Sequence, residues 1–131
     1  MQIQTNGLSH LAIRVTDLAR SKRFYSETLG FPVVLEFNDI VLVNAGGVLI
    51  GMRGDNPETA SGDRFNPFRV GLDHIALAVA DPAALEGLQQ QLDAAGVRNN
   101  GVEDDGTTGG RYISFYDPDS IAWELYYLPS P

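Results

Sequence analysis

Bulky apolar residues alternate with small or polar ones along two short stretches, Leu8-Ser9-His10-Leu11-Ala12-Ile13-Arg14-Val15 and Leu72-Asp73-His74-Ile75-Ala76-Leu77-Ala78-Val79. A period of two is the mark of a strand with one covered face. It sets Leu11, Ile13 and Val15 on one side of the first strand, and Ile75, Leu77 and Val79 on the matching side of the second. His10 and Ala12 point the other way, as do His74, Ala76 and Ala78, so a small-lined face surrounds each histidine. The period then becomes helical. Asp17 is placed to cap a helix running to about Leu29, with Leu18, Tyr25 and Leu29 on its covered side and Gly30 as its stop. Asp81-Pro82 opens a second helix, a capping acid followed by proline at the first helical position. Leu85, Leu88 and Leu92 form its apolar stripe and Gly96 ends it. Short β-like runs follow each helix, at about 33–37, 40–44 and 47–53 and again at about 97–102, 111–117 and 121–127.

The order strand, helix, three strands therefore occurs twice. Gly7 to Asp17 matches Gly71 to Asp81 in register, with Gly, Leu, His, Ala, Val and Asp repeated and Leu11/Ile75 and Ile13/Leu77 exchanged like for like. An internal repeat of this length fixes the organisation. We expect an α+β protein of two βαβββ modules, about 5–53 and 70–128, joined by a Pro-, Gly- and Asn-rich linker at 54–69. Each half is too small to be comfortable alone, so a single domain over 1–131 is expected. Asn99 to Gly110, with four glycines and Glu103-Asp104-Asp105, reads as an exposed hairpin loop, or as a flap beside a site.

Composition narrows the partners. The 131 residues are 44% hydrophobic and 20% charged, and seventeen acids against nine bases give a formal net charge of −8. Nucleic acid and anionic membrane are disfavoured by that charge, whereas a cationic small molecule is tolerated. The absence of cysteine excludes disulfides, thiolate metal sites and cysteine nucleophiles. No basic start, long apolar run or secretion signal is visible, and a cytoplasmic protein is expected.

The chain's two histidines, His10 and His74, occupy the same position of the repeat, which a pseudo-two-fold axis brings together. In Ile121-Ala122-Trp123-Glu124-Leu125-Tyr126-Tyr127, alternation sets Trp123 and Leu125 on the core side and turns Glu124 to the other face with Ala122 and Tyr126. An inward carboxylate on an apolar strand is costly without a cation. His10, His74 and Glu124 together make a two-imidazole, one-carboxylate triad with positions open for water and substrate. Iron(II) or manganese(II) is favoured, and zinc, nickel or cobalt also suit such donors.

These residues resemble the vicinal oxygen chelate superfamily, also called glyoxalase/bleomycin-resistance/dioxygenase proteins. The resemblance rests on Leu8 to Asp17, Phe24-Tyr25-Ser26-Glu27-Thr28-Leu29-Gly30-Phe31, Asp73 to Val79, Phe115-Tyr116-Asp117-Pro118-Asp119 and Trp123-Glu124-Leu125. It implies paired βαβββ modules whose mixed sheets curl into a cup around one divalent metal ion, held by His10, His74 and Glu124. A homodimer is implied as well. Glyoxalase I-like members use a fourth ligand on the last strand of the first module. Matching that strand by sequence puts Ile50 there, which cannot ligate. Fosfomycin-resistance-like members commonly carry threonine two residues after the first histidine, where this chain has Ala12. Extradiol dioxygenase-like members keep a tyrosine ahead of the terminal glutamate, matched by Tyr116, but their further acid–base histidine gives way to the region of Thr107 and Thr108. Glycine usually follows the Asp-Pro-Asp turn; here it is Ser120.

Tyr116 is thus the candidate catalytic residue, with Tyr112, Tyr126, Arg14, Ile50 and Met52 as candidate substrate-binding residues. A cup of this lining suits a small aromatic or planar oxygenated substrate. The function expected is a divalent-metal-dependent enzyme acting on adjacent oxygens, with extradiol-type ring cleavage as the leading reaction. The alternatives are a glyoxalase-like isomerase or lyase, and a drug-sequestering protein of the bleomycin-resistance type.

Overall fold

A computed structural model describes residues 1–130. The chain divides into two compact units, one ending at Asp63 and the next beginning at Arg64.

The first unit contains β1 (His10–Arg14), α1 (Leu18–Arg23), a π-helical turn (Phe24–Thr28), β2 (Val33–Phe37), β3 (Ile40–Ala45) and β4 (Val48–Arg53). Its four strands form one mixed sheet in the order β1-β4-β3-β2, with β1 parallel to β4 and the other pairs antiparallel. Asp17 caps α1 as expected, accepting a hydrogen bond from the Arg20 amide at 3.0 Å. The helix is α-helical only to Arg23 and then widens, so that Leu29 N–H bonds Phe24 C=O at 2.9 Å. That turn buries Tyr25 fully and sets its ring edge-on to Phe24 at 5.1 Å. Helix α1 packs on β4, and Ile13, Val15, Val41, Val43, Ile50 and Met52 fill the core.

The second unit contains β5 (Ile75–Ala78), a 3₁₀ turn (Pro82–Ala84), α2 (Leu85–Ala94), β6 (Asn99–Asp104), β7 (Arg111–Tyr116) and β8 (Ala122–Tyr127). Its sheet runs β5-β8-β7-β6, again with only the first pair parallel. A parallel pair needs a crossover, and the helix in each unit supplies it. Asp81 accepts from the Ala83 amide at 2.9 Å, and Pro82 follows it without leaving a donor unpaired. Helix α2 packs over β6 and β7, burying Leu85, Leu92, Val97, Ile113, Phe115, Ile121 and Trp123. Complete burial of a large side chain such as Phe115 is worth about 1.5–3 kcal/mol.

The expected α+β fold with two mixed four-stranded sheets is present. One boundary differs. β6, expected at about 97–102, occupies Asn99–Asp104 and runs into the stretch read as a hairpin loop, because Gly101 at φ +74 and a register shift between Asn99 and Val102 interrupt the alternation that would mark its bounds. Among the described residues, no helix is long and apolar enough to cross a membrane.

Candidate metal centre

The second unit brings two of the three expected ligands together. The parallel register pairs Ala76 with Glu124, and His74 stands one residue before β5. Alternation on β8 behaves as the sequence predicts, with Trp123 buried against the core and Glu124 on the opposite face. His74 Nε2 lies 3.4 Å from Glu124 Oε2. That gap is long for a good hydrogen bond. It is close to the ~3 Å between neighbouring donors that ligate one ion through bonds of about 2.1 Å. The other ring nitrogen is engaged, since His74 Nδ1 lies 2.7 Å from Asp73 Oδ1. A ring donating from Nδ1 to a carboxylate presents its Nε2 lone pair towards Glu124. Burial raises the Glu124 carboxyl above the usual carboxylate range; His74 opposes this, while Asp105, Asp73 and Glu103 add to it. A desolvated carboxylate beside an imidazole lone pair is a donor set that suits a divalent ion.

The neighbouring face is aromatic and acidic. Tyr112 and Tyr126 stand opposite each other on β7 and β8, stacked at 5.5 Å with 13° between planes. Tyr112 Oη donates to Glu103 Oε2 at 3.0 Å, and that bond pushes its pKa up to about 12. Tyr126 Oη donates to Asp105 Oδ2 at 2.6 Å and also meets Thr108 Oγ1. The Asp105 bond raises the Tyr126 phenol, and the same bond lowers the Asp105 carboxyl. The 105–110 loop is thereby tied down, with Thr107 N–H on Asp105 Oδ1 at 2.8 Å and Gly110 N–H on Thr108 Oγ1 at 3.0 Å. A Cβ on Gly110 would sit 2.6 Å from the Tyr126 ring, so the close approach requires glycine. Ser114 faces Glu124 across the ladder. Tyr116 lies farther along β7; its hydroxyl accepts from Asn100 Nδ2 at 3.0 Å and the Arg98 guanidinium covers its ring at 4.1 Å.

The first unit holds the remaining candidates. His10 is exposed at the start of β1, with Nδ1 3.1 Å from Ser9 Oγ. Arg14 Nη1 donates to the Gly54 carbonyl at 2.7 Å. Ile50 and Met52 are fully buried on the α1 side of the sheet with Val41, Val43 and Ile13, which corrects their expected place as cup walls. The register gives the reason. Ala12 pairs with Gly51 as Ala76 pairs with Glu124, so Gly51 and not Ile50 is the counterpart of Glu124. A slip of one residue exchanges the two faces of a strand. Within each unit, among the described residues, no group of three or more His, Asp or Glu is gathered that could hold a metal ion.

Asp73, Glu103, Asp105 and Thr108, none of them among the expected site residues, are the partners that hold His74, Tyr112 and Tyr126. For Asp73 a signal existed, because it precedes His74 as Ser9 precedes His10.

The fold is shared with known proteins. The model of the Glyoxalase/Bleomycin resistance protein/Dioxygenase superfamily matches residues 7–125. The chain belongs to this superfamily. Superfamily relatives include the uncharacterized protein YwkD of Bacillus subtilis, 30% identical over 129 residues, covering 92% of this chain and 95% of that protein. The glutathione transferase FosA of Serratia marcescens is 28% identical over 120 residues, covering 92% and 79% respectively. Among solved structures, a glyoxylase/bleomycin resistance protein/dioxygenase domain from Frankia sp. EAN1pec is 26% identical with a TM-score of 0.81, covering 97% of this chain and 95% of that one.

Proposed function

We propose that this superfamily member is a divalent-metal-dependent enzyme acting on adjacent oxygens of a small planar substrate, with His10, His74 and Glu124 as the metal ligands. The observation that carries the reading is His74 Nε2 at 3.4 Å from a desolvated Glu124, while Asp73 occupies Nδ1. A divalent ion bound there supplies Lewis acidity at the oxygens of a substrate. The chain's own residues do the rest. Glu124 balances the ion's charge, and the stacked Tyr112 and Tyr126 offer a flat wall beside it. Both phenols have raised pKa values and stay protonated at neutral pH, so they serve as fixed polar walls and not as bases.

Extradiol-type ring cleavage is the leading reaction, supported by Tyr116 on the β7 edge of the same face as Ser114, which opposes Glu124. A second reading is group transfer to, or isomerisation or lysis of, a small oxygenated electrophile; the likeness to the glutathione transferase FosA favours it. A homodimer fits the apolar side chains left open on the single chain, with Phe37 65%, Phe68 93% and Val70 109% exposed.

The test is metal content by mass spectrometry on untagged protein purified without oxygen, followed by two assays. About one equivalent of transition metal with oxygen uptake on catechols supports ring cleavage. The same metal with glutathione consumption supports transfer. A protein that refuses iron, manganese, zinc and nickel overturns the enzyme reading and leaves sequestration of a cationic aromatic compound.

A further inference from the structure

The two modules brace their histidines differently. Ser9 Oγ stands 3.1 Å from His10 Nδ1, and Asp73 Oδ1 stands 2.7 Å from His74 Nδ1. A hydroxyl both donates and accepts, so Ser9 leaves the His10 ring free to carry its proton on either nitrogen. An ionised carboxylate only accepts, so the neutral His74 ring must hold its proton at Nδ1 when it faces Asp73. We infer that Asp73 is a positioning residue that locks His74 in the Nδ1–H form and aims an unprotonated Nε2 at Glu124. The inference rests on reading His74 as a metal ligand, but its tautomer is measurable without metal. The pair is open to solvent, with 42% of the His74 side chain and 74% of the Asp73 side chain exposed. Exposed pairs contribute little to stability. Its consequence is therefore the orientation of one ring, and removing Asp73 leaves the fold standing.

The experiment is nitrogen-15 NMR of the imidazole rings in the metal-free full chain, at a pH where both are neutral. Manganese(II) affinity by competition with a chelator at that same pH accompanies it. Only two rings contribute signals, and a His10→Gln variant assigns them. In the unaltered protein His74 shows the Nδ1–H form. Asp73→Ala moves it towards Nε2–H, the form free histidine prefers, and weakens manganese binding by about 10- to 100-fold, the usual effect of losing a partner to a ligating histidine. Asp73→Asn, whose amide oxygen still accepts, retains the tautomer and restores most of the affinity. Ser9→Ala has the smaller effect on both readouts. An Nε2–H form in the unaltered protein, or a tautomer indifferent to Asp73→Ala, overturns the inference, as does unchanged manganese affinity in that variant. Failure of the unaltered protein to take manganese or any other divalent ion sinks the metal reading instead, and the ring signals still decide the role of Asp73.

Discussion

One topology, used twice, carries two chemically opposed faces. On the histidine side of the first sheet, β1 presents His10, Ala12 and Arg14, and β4 presents Leu49, Gly51 and Arg53. On the corresponding side of the second, the sequence is His74, Ala76 and Ala78, then Ala122, Glu124 and Tyr126. The first face is small and cationic. Tyr112, Glu103 and Asp105 make the second aromatic and anionic. The core sides, by contrast, stay interchangeable in character, with Ile50 and Met52 in one sheet and Trp123 and Leu125 in the other. A fold repeated in one chain thus conserves its packing face and frees its other face for chemistry, because only packing is dictated by the sheet and helix beneath it.

The sharpest break of this comparison is to remove the one carboxylate that distinguishes the two β1–β4 and β5–β8 pairs. Glu124→Ala should weaken metal binding by more than about 100-fold, beyond what loss of an outer partner costs, and abolish turnover. Gly51→Ala at the corresponding position should change neither, since its Cβ would meet nothing closer than 3.6 Å. Equal metal content in the two purified variants would dissolve the distinction.

A second contrast lies in the hairpins before the last strands. The first module places Gly46 at φ +62 and Gly47 at φ +99 between β3 and β4, whereas the second holds Ser120 at φ +65 after Asp117-Pro118-Asp119. A left-handed residue other than glycine is strained. Asp117 offsets this by accepting from the Asp119 and Ile121 amides at 2.9 and 2.8 Å, and Ser120 Oγ accepts from Arg64 at 2.9 Å. Ser120→Gly should raise stability by about 0.5–1 kcal/mol, read from a denaturant midpoint. A lowered midpoint would assign the larger share to the Arg64 bond.

Smaller still is the effect of the hydroxyl that ties the acidic loop. Tyr126→Phe should leave global unfolding nearly unchanged while the Thr107 and Gly110 amides exchange with solvent several-fold faster. Unaltered protection of both would mean that the loop holds itself. The mildest test is alkaline. Tyr112 is raised to about 12 by its bond to Glu103, so its folded form keeps its proton where the unfolded chain, near 10, begins to lose it. The stabilisation it contributes is complete below pH 10 and is lost as pH rises through 12. Tyr112→Phe should remove that slope, visible as the difference between the two proteins' stability curves over this range.

Much of this was legible in the residues. The repeat, the caps at Asp17 and Asp81, and the opposed directions of Trp123 and Glu124 follow from short-range rules that the structure obeys. The phase of β4 did not. Gly46 and Gly47 separate it from β3 without marking which residue begins the ladder, and matching by sequence alone chose Ile50 over Gly51. The register shift around Gly101 blurred the bounds of β6 in the same way.

The order of elements, the two histidines in equivalent places and a carboxylate on the polar side of the last strand are all written in the residues. Those depend on period and on neighbours a few residues apart. The register of each parallel pair, the 3.4 Å between His74 and Glu124, the Tyr112–Glu103 bond and the Tyr126–Asp105 bond that ties the 105–110 loop came from the folded arrangement alone. Each of these joins residues that only the alignment of neighbouring strands brings together. Their distances are set by how hydrogen-bonded ladders align, which no local pattern of residues encodes.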